Sequence, residues 1–333
     1  MKSEAADMMK IALIGLGSVG RGVGEVLQDD KRFRIIAIAD SKSGMVNPDG
    51  IDFDAVMEAK KTTGRCGTTD WTAFRIAAEV DYDVLVEVTP TNAVTGEPAL
   101  STIKIALSRG RHVVTSNKGP ISLAYRDLKA LAKENNVDIR FEGTVAGAVP
   151  IISGIKNGLA GNKVKALFGV LNGTCNYILS RMEEEGLTYQ QALSEARDLG
   201  YAESDPTADV NGTDAAIKLV ILANTVLGMN VKLKDVQRTG IDRITPEAIK
   251  MAHTTGHTIR LIASIYPEKK ELEVSPRLLP EDDPLVLSET LNAITVETEL
   301  AGDITFIGAG AGSTETASAI LSDLVFILKR YGV

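Results

Sequence analysis

The chain has 333 residues, 44% of them hydrophobic, and a formal net charge of -8, and its length predicts two domains. An acidic chain without a long basic run is not expected to bind nucleic acid, and Lys or Arg interrupts every apolar stretch before it reaches the length of a membrane span. Residues 1–7 carry acids and no apolar h-region, so we expect no signal peptide. Two cysteines are too few for a disulfide scaffold, and these features predict a cytoplasmic protein.

A glycine-rich turn follows the first apolar segment. Residues 10–14 are predicted to form a buried strand and residues 21–28 a helix, with Gly15, Leu16, Gly17, Ser18, Val19 and Gly20 between them. Asp40 ends the next predicted strand, residues 34–39. This is the GxGxxG dinucleotide fingerprint in its strand–turn–helix setting, so the turn is predicted to bind a pyrophosphate at the N-terminus of the helix.

Asp40 bears on which dinucleotide binds. A carboxylate at this position accepts hydrogen bonds from the ribose hydroxyls and favours NAD. The neighbouring Ser41 and Lys42, and Lys60 further along, could instead accommodate a 2′-phosphate. We therefore predict NAD(P) as the cofactor, with NAD favoured.

Strands and helices alternate through the first 140 residues. Further strands are predicted at residues 84–88, 112–115 and 138–142, with helices at 52–61, 97–109 and 121–135. This alternation predicts a Rossmann-type, doubly wound parallel sheet of the α/β class. Ligands bind at the carboxyl ends of such strands, so Thr89 is expected to line the cofactor and Lys118 to reach the nicotinamide or the substrate.

The second half is expected to form a separate α+β domain. Small residues at 142–150 are typical of a hinge, and strands (164–171, 258–266, 271–278, 293–299) mix with helices (175–185, 188–199, 209–229) in a mixed sheet. A short strand at 304–307 precedes a helix at 314–330, which is expected to return to the first domain, and Gly310 between them is predicted at the cofactor. We assign residues 1–141 and 305–333 to the dinucleotide-binding domain, and 142–304 to substrate binding, catalysis and dimerisation.

The segment from residue 200 to 218 concentrates acids before an apolar run. It contains Glu203, Asp205, Asp209 and Asp214, and Lys218 lies one helical turn after Asp214. Such acids could hold a substrate amine while the lysine handles a proton. The alternative is a solvated acidic loop with a surface ion pair.

Taken together, segments along nearly the whole chain resemble homoserine dehydrogenase. Beyond the glycine-rich turn, the resemblance lies in T-x-N-K at residues 115–118, E-x-T-V-x-x-x-x-P at 142–150, N-G-T-x-N-Y at 172–177, and G-Y-x-E-x-D-P-x-x-D-x-x-G-x-D-x-x-x-K at 200–218. The resemblance implies reversible NAD(P)-dependent interconversion of L-homoserine and L-aspartate 4-semialdehyde, a step toward threonine, methionine and isoleucine.

The same resemblance implies roles for individual residues. Lys218 would be the proton donor or acceptor, supported by Asp214 and with Lys118 near the reacting centre. The residues that would bind the substrate are Glu203, Asp209, Asn172, Gly173 and Thr174. A monovalent cation, Na⁺, would bind Glu142 and the carbonyls of Val145, Gly147 and Val149. The family is commonly a homodimer through the second domain's sheet, and we expect a short form without kinase or ACT domains.

Alternative functions remain at this point. Aspartate-semialdehyde dehydrogenase would need a nucleophile such as Cys175 with a histidine partner, and no histidine lies in a comparable motif. A sugar-type oxidoreductase would fit Lys118-Gly119-Pro120 but not the acidic segment. A catalytically inactive dinucleotide sensor would usually lack Lys218 or Asp214, and both are present.

Overall fold

The structure, a computed structural model, describes residues 8–332, and the contacts among them separate two units. The first unit comprises residues 8–144 and 312–332, and the second comprises residues 145–311. The boundaries predicted from the sequence are at residues 141 and 305. The predicted absence of a signal peptide concerns residues 1–7, which lie outside the described residues. Among residues 8–332, no helix is both long and apolar enough to cross a membrane.

The first unit contains a six-stranded sheet. Its strands are β1 (Met9–Ile14), β2 (Phe33–Ala39), β3 (Gly44–Val46), β4 (Val84–Glu87), β5 (His112–Thr115) and β6 (Ile139–Arg140), in the order β3-β2-β1-β4-β5-β6. All neighbouring strands pair in parallel except β3, an antiparallel edge strand beside β2. The core strands are almost completely buried, as expected of a sheet that helices cover on both faces.

Helices connect the parallel strands. They are α1 (Ser18–Gln28), α2 (Phe53–Thr63), α3 (Ala73–Glu79), α4 (Ala99–Ser108) and α5 (Lys118–Glu134). Helix α5 begins at Lys118 rather than near Ile121, because the Asn117 side chain caps it by accepting a hydrogen bond from Gly119 N–H over 3.1 Å. Pro120 is tolerated there because the first turn of a helix needs no N–H donor. The predicted strand at 138–142 is shorter, and a 3₁₀ turn, Glu142–Thr144, follows it.

The second unit is built on another six-stranded sheet. Its strands are β7 (Val164–Val170), β8 (Gln237–Arg238), β9 (His257–Tyr266), β10 (Glu271–Pro280), β11 (Leu291–Thr298) and β12 (Asp303–Ala309), in the order β12-β11-β7-β9-β10-β8. The pairing is antiparallel except between β8 and β10, so the predicted mixed sheet is present. Because β12 pairs with β11, residues 305–311 lie in this unit.

The second unit also contains helices. They are α6 (Ile151–Ser153), which runs into a π-helical turn (Gly154–Gly158), α7 (Gly173–Glu185), α8 (Tyr189–Asp198), α9 (Thr207–Val210), α10 (Thr213–Thr225) and α11 (Pro246–His253). Both α10 and α11 contact β9. Helix α8 begins with a capping box between Thr188 and Gln191.

The single helix predicted over residues 209–229 is wrong. The structure has two helices, α9 and α10, separated at Gly212, whose φ of 80° is left-handed and unfavourable for residues with a side chain. Gly212 also packs on Val274, and a Cβ there would lie 3.1 Å from a methyl group of that side chain. The break places Asp214 in the first turn of α10.

The last helix, α12 (Ser313–Tyr331), belongs to the first unit. Its buried Asp323 accepts hydrogen bonds from Arg140 Nε over 2.7 Å and from the backbone N–H of Glu142 over 2.8 Å. The C-terminal helix therefore holds the end of β6 and the 3₁₀ turn that follows it.

Candidate active site

The glycine-rich turn between β1 and α1 has the shape that a pyrophosphate requires. Gly15 has a φ of 106°, and a Cβ on Gly20 would overlap the carbonyl oxygen of Gly15. Gly17 is the exposed N-cap of α1 and brings no side chain to the first helical amides. The first N–H groups of a helix have no partner within the helix. Those in the turn formed with Leu16, Ser18 and Val19 can therefore bind an anion. The turn therefore fits the phosphates of a dinucleotide.

Asp40 lies at the carboxyl end of β2 and is ion-paired with Lys60. Its Oδ1 accepts hydrogen bonds from the backbone N–H groups of Lys42 (2.8 Å) and Ser43 (2.9 Å). Burial raises the pKa of Asp40, but the Lys60 ammonium and these N–H donors outweigh it and lower the pKa below its usual value. A carboxylate at this position is thus held ionised and fixed in orientation.

A cavity of about 770 Å³ opens beside Asp40. Its walls carry both signs of charge, from Arg21, Glu25, Asp40, Lys42, Asp54, Glu58, Lys60 and Lys61. The volume suits part of a nucleotide. Several of these residues are cations, but Lys60, the one nearest to Asp40, is already its ion-pair partner.

Thr89 and Lys118 follow the adjacent strands β4 and β5 at the same edge of the sheet. Thr89 is half-buried and donates through its backbone N–H to Glu87 Oε1 over 2.9 Å. Lys118 is half-buried and is the first residue of α5. Their predicted contact with the cofactor depends on this shared edge and stays a prediction.

The predicted cation segment spans the division between the units. Glu142 is buried in the first unit, whereas Val145, Gly147 and Val149 lie in the second. Ala146 and Gly147 both have left-handed φ angles (57° and 51°), and the Val149 carbonyl accepts a hydrogen bond from Ile151 N–H over 2.8 Å. A buried carboxylate and turned backbone carbonyls are oxygen donors suited to a hard cation.

Gly310, predicted at the cofactor, lies in the second unit after β12. A Cβ on Gly310 would overlap the side chain of Asn292, and one on Gly147 would lie 2.8 Å from the Gly310 carbonyl carbon. The close approach of the Asn292 side chain therefore explains this glycine without a ligand, and its contact with the cofactor stays a prediction.

Lys218 is the centre of a polar cluster in the second unit. Its side chain comes from α10 and is 9% exposed. Its Nζ donates to the carbonyl oxygen of Leu171 over 2.6 Å and lies 2.8 Å from Asp214 Oδ2. The ammonium is therefore fixed by one carbonyl and one carboxylate in a largely apolar setting, unlike a solvated surface ion pair.

Asn172 extends this cluster to the acid of α9. Its Nδ2 donates to Asp209 Oδ1 over 2.7 Å and to Asp214 Oδ2 over 3.0 Å, and its Oδ1 caps α7 by accepting from Cys175 N–H over 2.9 Å. One amide thus joins Lys218, Asp214 and Asp209 into a continuous network.

Gly173 and Thr174, two further predicted substrate residues, follow Asn172 at the start of α7. Gly173 opens α7, where a Cβ would lie 2.6 Å from the Thr290 carbonyl oxygen, and Thr174 donates to the Tyr201 carbonyl over 2.6 Å. Among the described residues, Glu203 is exposed in the loop before α9 and makes no hydrogen bond to the cluster. The structure brings together Asn172, Asp209, Asp214 and Lys218, whereas the binding of the substrate by Glu203 stays a prediction.

Cys175 does not have the surroundings of a nucleophile. It is fully buried, and its Sγ donates to the Asp209 carbonyl oxygen over 3.2 Å. Burial raises the pKa of the thiol well above its usual value, and the charges of Asp209 and Asp214 raise it further. A protonated thiol argues against the semialdehyde dehydrogenase alternative.

Sequence reasoning missed the Leu171 carbonyl, which holds Lys218, and the network around Glu87. A backbone acceptor leaves no signal in the sequence. Glu87 did leave one, because it is an acid at the end of an otherwise apolar strand, Val84–Glu87.

Comparison with known proteins identifies the family. Residues 15–142 match the family model of the homoserine dehydrogenase NAD binding domain, and residues 150–325 match that of homoserine dehydrogenase. The chain belongs to the homoserine dehydrogenase family. A homoserine dehydrogenase of Methanocaldococcus jannaschii is 46% identical over 96% of this chain and 98% of its own length. An NAD(+)-dependent homoserine dehydrogenase of Pseudomonas canavaninivorans is 39% identical over 96% of each chain.

Solved structures of homoserine dehydrogenases share this fold. A hyperthermophilic archaeal homoserine dehydrogenase in complex with NADPH superposes with a TM-score of 0.85 at 30% identity, over 97% of this chain and 98% of that chain. The homoserine dehydrogenase of Thiobacillus denitrificans gives a TM-score of 0.86 at 32% identity, over 98% of this chain and 74% of that chain. The predicted fold class, family and oxidoreductase activity with a nicotinamide dinucleotide are confirmed, and nothing in the comparisons favours an inactive sensor.

Proposed function

We propose that Lys218 is the proton donor and acceptor in the interconversion of L-homoserine and L-aspartate 4-semialdehyde. The observation that carries this proposal is the fixed position of its ammonium between the Leu171 carbonyl and the Asp214 carboxylate. An ammonium has three N–H donors, so one remains for a substrate oxygen. Asp214 keeps the cation in place while the proton moves.

The chemistry follows from this geometry. The bound nicotinamide accepts or supplies the hydride. When the aldehyde is reduced, negative charge develops on its oxygen, where Lys218 stabilises it and donates a proton. When homoserine is oxidised, Lys218 takes the hydroxyl proton as a neutral amine and becomes the ammonium. Lys118 is proposed to lie near the same reacting centre.

The substrate's ammonium group is proposed to bind the acids around Asn172. Asp209 lies next to Asn172 and the start of α10, and a carboxylate there is a suitable hydrogen-bond acceptor for an amine. Glu203 would join it from the loop before α9. Asn172, Gly173 and Thr174 would shape the pocket for the amino-acid end.

We propose that NAD is preferred over NADP. Asp40 is ionised, and the backbone donors of Lys42 and Ser43 orient it for the ribose hydroxyls. A 2′-phosphate would meet this charge at close range. Lys60, the cation best placed to compensate, already pairs with Asp40.

Na⁺ is proposed to bind Glu142 together with the carbonyls of Val145, Gly147 and Val149. The burial of Glu142 and the consecutive left-handed residues Ala146 and Gly147 support this proposal. When bound, the cation would neutralise the carboxylate and stiffen the segment. Activity is then expected to depend on the monovalent salt present.

A homodimer is proposed through one face of the second unit's sheet. The register aligns Thr305, Thr295, Phe168 and Ser264 across β12, β11, β7 and β9. A cavity of about 360 Å³ opens on this row, and Ile307 on the same face of β12 is exposed. Sheet faces of this kind pack well against a second copy.

A cytoplasmic location is also proposed. Both cysteines, Cys66 and Cys175, are buried and free, as is usual in a reducing compartment.

The test is oxidation of L-homoserine by the purified chain, followed at the reduced-nicotinamide absorbance with NAD and NADP in parallel. We expect turnover with both and a higher kcat/KM with NAD. Turnover with NADP alone would contradict the NAD preference. Absence of turnover with either cofactor, across Na⁺ and K⁺ buffers, would contradict the proposed role of the Lys218 cluster.

A further inference from the structure

A buried carboxylate lies at the carboxyl ends of the strands where we place the cofactor, and it has none of the catalytic or binding roles proposed for other residues. Glu87 is the last residue of β4 and is 0% exposed. Burying a charge is costly unless hydrogen bonds compensate it. A buried acid in this position therefore indicates a structural or functional role, and its hydrogen-bond partners show which role.

The Glu87 carboxylate joins the ends of two neighbouring strands. Its Oε1 accepts hydrogen bonds from the backbone N–H of Thr89 (2.9 Å) and from the Thr89 hydroxyl, and its Oε2 accepts from the Thr115 hydroxyl over 3.1 Å. Thr89 belongs to the loop after β4, and Thr115 ends β5. One side chain thus ties together the loops that follow both strands.

Asn117 sets the direction of these hydrogen bonds. Its backbone N–H donates to Thr115 Oγ1 over 3.0 Å, and its Nδ2 donates to Thr89 Oγ1 over 3.3 Å. An N–H group can only donate, so both hydroxyl hydrogens are left to point at Glu87. Glu87 then accepts on both oxygens, as a carboxylate does. Burial raises the pKa of Glu87, while the donors from Thr89 and Thr115 oppose that rise.

Asn117 also connects this network to the start of α5. Its Oδ1 caps the helix at Gly119, while its Nδ2 reaches the carbonyl oxygens of Thr89 (3.1 Å) and Pro90 (3.4 Å). A Cβ on Gly119 would overlap the Asn92 carbonyl, so the first turn of α5 presses directly on the loop after β4. The backbone of Lys118 is fixed by these contacts.

We propose that Glu87 and Asn117 are positioning residues that hold Thr89 and Lys118 for the nicotinamide end of the cofactor. This inference rests on the proposed placement of the cofactor at this sheet edge. The adenosine end depends on other residues, the glycine-rich turn and Asp40. Disrupting the network should therefore weaken contacts at one end of the dinucleotide only.

The test compares two ligands on the purified full chain by titration calorimetry. NADH carries the nicotinamide, whereas ADP-ribose lacks it. We expect Glu87→Gln to weaken NADH binding about tenfold while ADP-ribose binding changes by less than about twofold. Thr115→Val should reproduce this contrast, because it removes the hydroxyl that serves Glu87. Thr115→Ser keeps the hydroxyl and should recover most of the NADH affinity.

Asp138→Asn is the matched control. Asp138 is another buried carboxylate of the same unit. It lies at the amino end of β6, away from the carboxyl ends of β4 and β5, and it binds Lys129 and Tyr331. Its loss should leave the ratio of NADH to ADP-ribose affinity unchanged.

Equal loss of both ligands in Glu87→Gln and Thr115→Val would overturn the inference in favour of a general structural role. Unchanged NADH affinity and kcat in both variants would overturn it as well. The proposed function fails differently, since it would show as absence of homoserine oxidation by the wild-type chain, whereas the ligand contrast can be measured without turnover.

Discussion

The side-chain amide of Asn172 lies 2.7 Å from Asp209 and 3.0 Å from Asp214, so one neutral group separates two carboxylates. The same residue caps α7 through its Oδ1. Asn172 therefore combines a local structural role with control of charge in the proposed substrate pocket. A suitable substitution can separate these roles.

Replacing Asn172 by Asp should keep the helix cap but remove the amide donor. The new carboxylate would face Asp209 and Asp214 and would rearrange the acids that we propose to bind the substrate amine. We expect KM for homoserine to rise about tenfold while KM for NAD changes little. Steady-state kinetics measure both values. Asn172→Ser, which also retains a capping oxygen, is the control, and a larger defect in Ser than in Asp would contradict the charge argument.

Replacing Lys218 by Met should remove the proposed proton-transferring group while preserving much of its volume. We expect kcat to fall about a hundredfold or more, because general acid–base catalysis commonly contributes that much. NADH binding, measured by fluorescence, should stay close to that of wild type. Lys234→Met, at a site outside the cluster, is the control. Wild-type turnover by the Lys218 variant would refute the assigned role.

Replacing Asp40 by Ser should shift the cofactor preference toward NADP. The substitution removes the charge that opposes a 2′-phosphate and releases Lys60 from its ion pair. We expect the ratio of kcat/KM values for NADP and NAD to rise about tenfold or more. Asp54→Asn, which lines the same cavity, serves as the control. An unchanged ratio would show that Asp40 does not govern the ribose.

His112 should make the first unit less stable in mild acid. Burial lowers the pKa of His112 below its usual 6.5, although Asp138 and Asp83 oppose this shift. The folded state thus binds protons less readily than the unfolded state, so stability is full above pH about 6.5 and is lost as pH falls through the lowered pKa. Urea unfolding between pH 7.5 and about 5 measures this.

His112→Asn offers a carbonyl oxygen in place of Nδ1, which accepts the Asp138 N–H over 3.0 Å. The variant should lose stability at neutral pH but show a flatter pH dependence. His257→Asn, which replaces a half-exposed histidine, should keep the wild-type slope. Identical slopes in all three proteins would exclude His112 as the source.

Local spacing explains what the sequence could predict. The turn from Gly15 to Gly20 and the ion pair between Asp214 and Lys218 depend on neighbours within one or two helical turns. The Leu171 carbonyl, the Asn172 bridge and the break at Gly212 depend on packing between distant segments. The helix prediction over 209–229 failed because it continued the apolar periodicity of α10 back across Gly212. The left-handed backbone at Gly212 separates α9 from α10.

Replacing Phe168 by Glu should dissociate the proposed homodimer. Phe168 lies in the row across the sheet face and packs edge-on against Tyr266, with ring centroids 5.6 Å apart. A charge there would repel its copy in a face-to-face contact. Light scattering after gel filtration should show a monomer. Met251→Glu, which changes an exposed side chain of α11, should leave the mass of the particle unchanged. A monomeric wild type would refute the interface.

The left-handed turn at Gly212 separates two helices, α9 and α10, that border the proposed substrate pocket and differ in burial. Helix α10 is buried along most of its length, so its backbone amides should exchange with solvent only on global unfolding. The short α9, which has no buried residue, should exchange through local fluctuations. Lys218 and Asp214 therefore lie on a helix expected to be rigid, and Asp209 on one expected to fluctuate, so the proposed substrate pocket would combine a fixed side with a more adjustable one.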